Sequence, residues 1–256
     1  MTDTHPTPSS AMPTGKIPLG IGSIIGDTFR IFGRHFVMMS LVSFVPIFVA
    51  GILLLPFETD PDDVSSSALV GTVLGVVLMF AAGGITQAII IQMAYNDRVG
   101  QRSSFGAMLR RAFAKVLYIT VLSLVVGLTV GLGFVALIVP GLWLYGALAV
   151  VAPAIVVEDA NWRGMGRSFS LTKGYRWSIV GLISLAYIPL LIGGFIAIFL
   201  GFSVFEMPGG ITYLVLESAL TAIMAPIFNL AIVLTYARLR EIKEGITVDR
   251  IAEVFA

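Results

Sequence analysis

The sequence predicts an all-α, polytopic membrane protein with six transmembrane helices, and three observations carry that prediction. Of its 256 residues, 57% are hydrophobic and 12% are charged, with a mean hydropathy of +0.96. Soluble domains carry roughly 25% charged residues. Uncharged runs long enough to cross a bilayer recur along the chain. All Lys and Arg residues fall into alternate connections between these runs, which is typical of multi-pass membrane proteins.

The apolar runs divide into six predicted spans. The stretch from Val116 to Val157 is almost continuously apolar and too long for one crossing. Pro140-Gly141 is the predicted turn within it, because this dipeptide favours a chain reversal. The predicted spans cover about residues 36–57, 68–94, 116–139, 142–157, 178–205 and 211–237.

A short amphipathic helix precedes each of the three predicted transmembrane hairpins, near residues 20–34, 103–115 and 161–174. Each contains a Gly followed three residues later by a large apolar residue, which indicates three units with the same membrane orientation. The alternative, that any basic helix entering a membrane shows this pattern, stays open. The three pairs are Gly26/Phe29, Gly106/Leu109 and Gly166/Phe169.

Caps are predicted for two of these helices. Ser103 or Ser104 can begin the second, and Asp159 or Asn161 can begin the third, since short polar side chains accept hydrogen bonds from the first turn. Gly174 is expected to end the third helix.

The distribution of positive charge predicts the topology. All 16 Lys and Arg residues lie before the first span, between the second and third, between the fourth and fifth, or after the sixth. The positive-inside rule then places both termini in the cytoplasm, here of a bacterial inner membrane. Residues 1–17 are predicted to be a disordered cytoplasmic tail, residues 18–245 the transmembrane domain, and residues 246–256 a short amphipathic helix.

The residue inventory excludes several kinds of chemistry. The chain has no Cys, and its two histidines, His5 and His35, have no partner with metal-ligand or catalytic spacing. We therefore expect no catalytic residues, no metal and no cofactor. The net charge of +1 gives no reason to expect nucleic acid as a partner.

Polar groups within the spans are few. They are Gln87, Gln92, Glu217 and Asn229. Hydrogen bonds between helices explain the two Gln residues and Asn229 without a function, while Glu217 can reach water at the outer surface. A transport path is the alternative, because prolines within spans accompany broken helices in transporters. Those prolines are Pro46, Pro153, Pro189 and Pro226.

Nine basic residues are predicted to form a basic collar at the cytoplasmic surface that binds anionic lipid headgroups. The same charges could instead serve only to orient the spans. The basic collar comprises Arg110, Arg111, Lys115, Arg163, Arg167, Lys173, Arg176, Arg238 and Arg240.

An ion pair is expected within this layer. Glu158 or Asp159, at the inner end of the fourth span, could pair with Arg167, or with Arg238 or Arg240 after the sixth span. Such a pair would fix the angle of the third amphipathic helix.

Several segments resemble a known family. They resemble the glycerophosphodiester phosphodiesterase-type membrane domains and related uncharacterised bacterial six-helix proteins. The segments are Ile138 to Gly141, Ala152 to Glu158, Gly164 to Trp177, Leu234 to Gly245, and the Gly-Asp-Thr-Phe-Arg segment from Gly26. In the enzymes of that family, catalysis belongs to a separate soluble barrel of roughly 250 residues. The resemblance therefore implies a stand-alone membrane module with no catalytic residues to carry over.

The expected function is that of a non-enzymatic integral membrane protein that organises or senses membrane components, with anionic lipids as partners. A transporter or channel for a small or lipid-like substrate is the alternative. A homo-oligomer or a membrane-protein partner also stays open.

Overall fold

The computed structural model describes residues 17–57, 65–100, 104–204 and 210–245, and this part of the chain contains helices and no strand. The predicted tail, apart from Ile17, and the predicted helix over 246–256 lie outside the described residues. Short 3-10 turns occupy Leu55–Phe57 and Asn161–Arg163. The helices are α1 (Ile21–Arg34), α2 (Phe36–Leu54), α3 (Ser66–Val99), α4 (Phe105–Ala136), α5 (Ile138–Leu148), α6 (Val151–Val157), α7 (Gly164–Thr172), α8 (Arg176–Val204) and α9 (Gly210–Glu244).

Within the described residues, six helical segments are long and apolar enough to cross a membrane, with mean hydropathies between 1.9 and 2.5. This confirms the predicted all-α class and the number of candidate spans, as expected of a multi-pass membrane protein. The segments are Phe36–Leu54, Ala68–Arg98, Phe105–Ala136, Ile138–Val157, Arg176–Ile196 and Leu214–Glu244.

Helix α1 occupies the first predicted amphipathic stretch. Ile24, Ile31 and Phe32 are buried against the bundle, while Asp27 and Arg30 form an exposed ion pair on the other side. The chain turns at His35 directly into α2. One face of α1 is therefore held by the protein, and the polar face stays accessible.

The second amphipathic stretch is not a separate helix. Residues 105–115 form the first third of α4, which continues without a break to Ala136. No Gly or Pro lies between Gly106 and Gly127 to interrupt the helix. Ser104 caps it by accepting a 3.3 Å hydrogen bond from the Ala107 amide, so the prediction of two distinct elements here was wrong.

The turn between α4 and α5 lies three residues before the predicted Pro-Gly dipeptide. Leu137 is extended, with φ −167° and ψ 152°, and α5 begins immediately after it. Pro140 sits in the first turn of α5, where its missing N–H removes no helical hydrogen bond. Gly141 instead permits close packing, because a Cβ there would lie 2.8 Å from the backbone nitrogen of Phe134.

The fourth span is a broken helix. Helix α5 ends at Leu148, and α6 begins at Val151 with Pro153 in its first turn. The proline ring would clash with the carbonyl of Ala149 in a continuous helix, which explains the gap. Residues 151–156 are all buried, so the α6 half of the broken helix lies in the packed interior of the bundle.

Helix α7 packs against this break. The Ser168 hydroxyl donates to the Ala147 carbonyl over 2.8 Å and accepts from the Val150 amide over 3.3 Å. The Thr172 hydroxyl lies 3.1 Å from the same carbonyl. Two backbone groups beside the break, the Ala147 carbonyl and the Val150 amide, are thus satisfied by a buried hydroxyl of a neighbouring helix.

Candidate functional site

Five of the nine residues of the basic collar bind partners within the protein. Lys115 pairs with Asp159 at 2.7 Å, and Arg238 pairs with Glu241 at 3.0 Å on its own helix. The Arg176 guanidinium lies 4.1 Å from the centre of the Trp143 ring. Arg167 and Arg240 both pair with Glu158. These five groups are therefore less available to an external anion.

The other four residues of the basic collar have exposed side chains. They are Arg110, Arg111, Arg163 and Lys173, and none forms an ion pair with another described residue. Within the basic collar, these four cations are the ones that an anion from outside the protein can reach without displacing a partner.

The predicted ion pair lies at the centre of a larger group of side chains, here called the Glu158 cluster: Glu158, Arg167, Tyr236, Arg240 and Glu244. Arg167 donates to both carboxylate oxygens of Glu158, over 2.6 and 2.8 Å. The Tyr236 hydroxyl also donates to Glu158, and Arg167 contacts Glu244. The cluster joins the end of α6 to α7 and to the last turns of α9.

The cluster keeps Glu158 ionised. Burial, the strongest single influence, pushes the pKa of Glu158 upward, but hydrogen bonds from Arg167 and Tyr236 and the charges of Arg167 and Arg240 together lower it below its ordinary value of 4.5. The hydrogen bond to Glu158 in turn raises the pKa of Arg167. Both groups are charged at neutral pH, as a two-pronged guanidinium–carboxylate pair requires.

The two acidic residues after α6 have different partners. Glu158 binds Arg167 and Arg240, whereas Asp159 binds Lys115 and does not contact Arg167. Arg238 takes neither acid, because it pairs with Glu241. Of the pairings considered from the sequence, the structure therefore contains Glu158 with Arg167 and with Arg240.

The connection between α6 and α7 has an unusual backbone. Asp159 and Asn161 both have positive φ, at 54° and 44°, a conformation in which Asp and Asn are enriched among non-glycine residues. Neither side chain caps a helix, so the predicted cap was wrong. Instead both side chains contact Lys115, at 2.7 Å from Asp159 Oδ1 and 2.9 Å from Asn161 Oδ1.

A cavity of about 510 Å³, here called the basic cavity, opens beside this connection. Its walls come from α3, from the first third of α4, and from Asp159 in the connection between α6 and α7. The polar part of its lining consists of Gln92, Arg110, Arg111, Lys115 and Asp159. Three cations and one carboxylate therefore share one opening, which favours an anionic ligand.

The opposite face of the same α4 segment is apolar. Phe105, Leu109 and Phe113 line a separate cavity of about 560 Å³, the apolar groove, together with apolar side chains of α2 and α3. One helical segment thus presents aromatic and aliphatic side chains on one side and arginines on the other. That arrangement is typical of a helix at a membrane interface.

The polar residues of the spans do not gather at one place. Gln92 donates to the Met108 carbonyl of α4 over 3.2 Å, which is a bond between helices. Asn229 bonds the Ala225 carbonyl of its own helix, Gln87 is half-buried, and Glu217 is exposed. Neither the basic cavity nor the apolar groove is lined by Gln87 or Asn229.

The prolines behave differently from one another. Pro46, Pro189 and Pro226 lie within helices α2, α8 and α9, each of which continues past its proline. Of the four, only Pro153 lies beside a break in a span, and Ser168 of α7 donates a hydrogen bond to a backbone carbonyl at that break. Three of the four expected interruptions are therefore absent from the described helices.

Sequence reasoning missed several residues that organise this region. Ser168 and Thr172 lie four residues apart on one face of α7, a spacing that could have indicated a shared contact. Tyr236 and Glu244 gave no local signal, because they meet Glu158 and Arg167 only through the fold.

Among the described residues, no group of three His, Asp or Glu side chains is placed to hold a metal ion. The comparisons with known proteins add no further constraint, since no family model, curated protein or solved structure matches the chain. The resemblance to the phosphodiesterase-type membrane domains therefore stays a prediction.

The pair between Arg167 and Glu158 is open to a double-mutant cycle. We expect Arg167→Gln and Glu158→Gln each to lower the melting temperature in detergent, with a coupling free energy of about 1–3 kcal/mol, since each single change removes the two-pronged pair and leaves the remaining charge with weaker partners only. Arg163→Gln, which removes an exposed arginine nearby, is the matched control. Equal melting temperatures for the Arg167 and Arg163 variants would show that the pair contributes nothing.

Proposed function

We propose that the protein is a non-enzymatic component of a bacterial inner membrane that binds anionic lipid headgroups at the cytoplasmic surface, chiefly through Arg110 and Arg111. The observation that carries this proposal is the basic cavity. It combines exposed guanidinium groups with an opening large enough for a headgroup. Arginine suits such a role because its planar group can hold two phosphate oxygens at once.

Ion pairs within the protein reduce the number of collar residues that are available to bind lipid. A collar in which every cation contacted lipid would bind diffusely, with about 1 kcal/mol from each basic residue near an anionic surface. Here Arg167, Arg238 and Arg240 are occupied by carboxylates. Binding is therefore expected to concentrate at the basic cavity, with Arg163 and Lys173 adding weaker contacts.

The surroundings of the basic cavity fit a membrane surface. The apolar groove lies on the other face of the same α4 segment. Trp162 and Trp177 are each 57% exposed, and tryptophan is enriched where a membrane protein meets the headgroup region. These features support a position of the α4 segment at the membrane surface, with its apolar face toward acyl chains and Arg110 and Arg111 toward headgroups.

The ion pairs support a single basic end of the bundle. Arg34 pairs with Asp97, Arg98 with Glu241, and Arg167 with Glu244. Together with the pair between Lys115 and Asp159, these contacts connect all four basic segments of the chain. A protein with its positive segments at one end follows the positive-inside rule when that end, and both termini, face the cytoplasm.

The proposed orientation can be tested by cysteine labelling, because the natural chain contains no Cys. In intact cells, a membrane-impermeant thiol reagent should modify Asp60→Cys and leave Arg163→Cys and Lys173→Cys unmodified until the cells are opened. Ser168 is unsuitable as a probe because it is fully buried. Labelling of Lys173→Cys in intact cells would contradict the proposed orientation and indicate the opposite one.

The lipid-binding proposal can be tested by native mass spectrometry of the purified protein with phosphatidylglycerol and phosphatidylcholine. Loss of both cavity arginines, in Arg110→Gln/Arg111→Gln, should weaken phosphatidylglycerol binding by about 2 kcal/mol, roughly thirtyfold. The control, Arg163→Gln/Lys173→Gln, removes the same charge outside the basic cavity and should cost much less. Equal losses in the two variants would show that the charges act collectively and that the cavity has no special role.

A further inference from the structure

The basic cavity already contains a carboxylate that neutralises one of its cations. The Lys115 ammonium, whose side chain is 15% exposed, lies 2.7 Å from Oδ1 of Asp159. The Asp159 side chain itself is 68% exposed. The lysine is thus fixed in the cavity wall, while its partner reaches it from the solvent side.

The pair is of a kind that an incoming anion can replace. An ion pair with one partner largely in water contributes little to stability. Asn161 Oδ1, 2.9 Å from the same ammonium, would continue to hold the lysine in place after Asp159 moved away. Asp159 therefore has the properties of a resident counter-anion for the cavity.

We propose that the basic cavity selects a lipid phosphomonoester over a phosphodiester, and that Asp159 sets this selection by competing with the headgroup for Lys115. The inference rests on the proposed function and names the headgroup class. Arg110, Arg111 and Lys115 supply three positive charges, and Asp159 supplies one negative charge. The net charge of the cavity is therefore two positive charges.

A phosphomonoester matches that balance. A phosphate monoester carries about −1.5 to −2 charges at neutral pH and three terminal oxygens, so one group can accept from both arginines while also contacting Lys115. A phosphodiester carries a single negative charge, so it can bind the arginines or exchange with Asp159 at Lys115. In either case at least one positive charge of the cavity keeps no counter-charge.

The placement of the three cations agrees with one phosphate group as their common ligand. Arg110 and Arg111 are adjacent on α4, and Lys115 follows Arg111 by one helical turn. Ala107 and Ala114 line the same cavity, and their small side chains take up little of its space. A guanidinium can approach a phosphate with two parallel hydrogen bonds.

The test compares phosphatidic acid, a lipid phosphomonoester, with phosphatidylglycerol of the same acyl chains, using native mass spectrometry on the full chain. The natural protein should bind phosphatidic acid about fivefold more tightly or better, as expected for roughly one additional charge contact. Asp159→Asn should strengthen the binding of both lipids, and that of phosphatidylglycerol by the larger factor. A singly charged headgroup can then contact Lys115 without displacing a carboxylate. The preference for phosphatidic acid should therefore shrink.

The matched control is Asp27→Asn, which also removes one carboxylate paired with a basic residue but lies on α1, outside the cavity. It should leave the ratio of the two affinities unchanged. A gain of affinity in Asp159→Asn also cannot arise from a protein that fails to fold, which makes this variant more informative than any loss.

The outcomes separate the two proposals. If phosphatidic acid and phosphatidylglycerol bind equally and Asp159→Asn changes neither, the headgroup selection is wrong, while the lipid-binding proposal stands as long as Arg110→Gln/Arg111→Gln still weakens binding. If that double variant binds as the natural protein does, the proposed function fails too. Soluble glycerol phosphate at millimolar concentration should not displace phosphatidic acid; full displacement would assign the cavity to a soluble phosphomonoester and overturn the lipid as its source.

Discussion

The structure depends on how the break between α5 and α6 satisfies its backbone groups. Inside a bilayer no water replaces a missing helical hydrogen bond, and an unsatisfied peptide group costs several kcal/mol. At the break over residues 149–150, Ser168 bonds both the Ala147 carbonyl and the Val150 amide, and the Thr172 hydroxyl lies beside the same carbonyl. Helix α7 must therefore lie against the broken helix. Gly164 allows the close approach, since a Cβ there would lie 2.9 Å from Ile155.

The position of α7 determines the rest of the basic end. Its inner face completes the broken helix, and Arg167 on another face binds Glu158 and Glu244. With both ends of the connection between α6 and α7 held in this way, the residues between them are placed over α4. Asp159 then meets Lys115. The packing that repairs the fourth span thus also positions the carboxylate of the basic cavity.

Local patterns in the sequence were sufficient to predict where the helices lie, because long apolar runs and amphipathic periodicity depend only on residues close together in the chain. They were insufficient for the breaks: Pro140 fits the first turn of a helix as well as a turn, so only packing decides that the chain reverses at Leu137. Long-range pairing likewise decides which cations stay free. Lys115, for example, donates to Asn161, 46 residues away, a separation at which no local sequence pattern indicates a contact.

The most direct test of this account is amide hydrogen exchange at Val150, whose N–H is bonded to Ser168 Oγ. Ser168→Ala removes that acceptor, whereas Ser170→Ala removes an exposed hydroxyl of the same helix that bonds only the Arg167 carbonyl. We expect the Val150 amide to exchange at least about tenfold faster in Ser168→Ala, because a buried hydrogen bond is lost. In Ser170→Ala it should exchange at the rate of the natural protein. Equal exchange at Val150 in the two variants would contradict the claim that α7 holds the broken helix together.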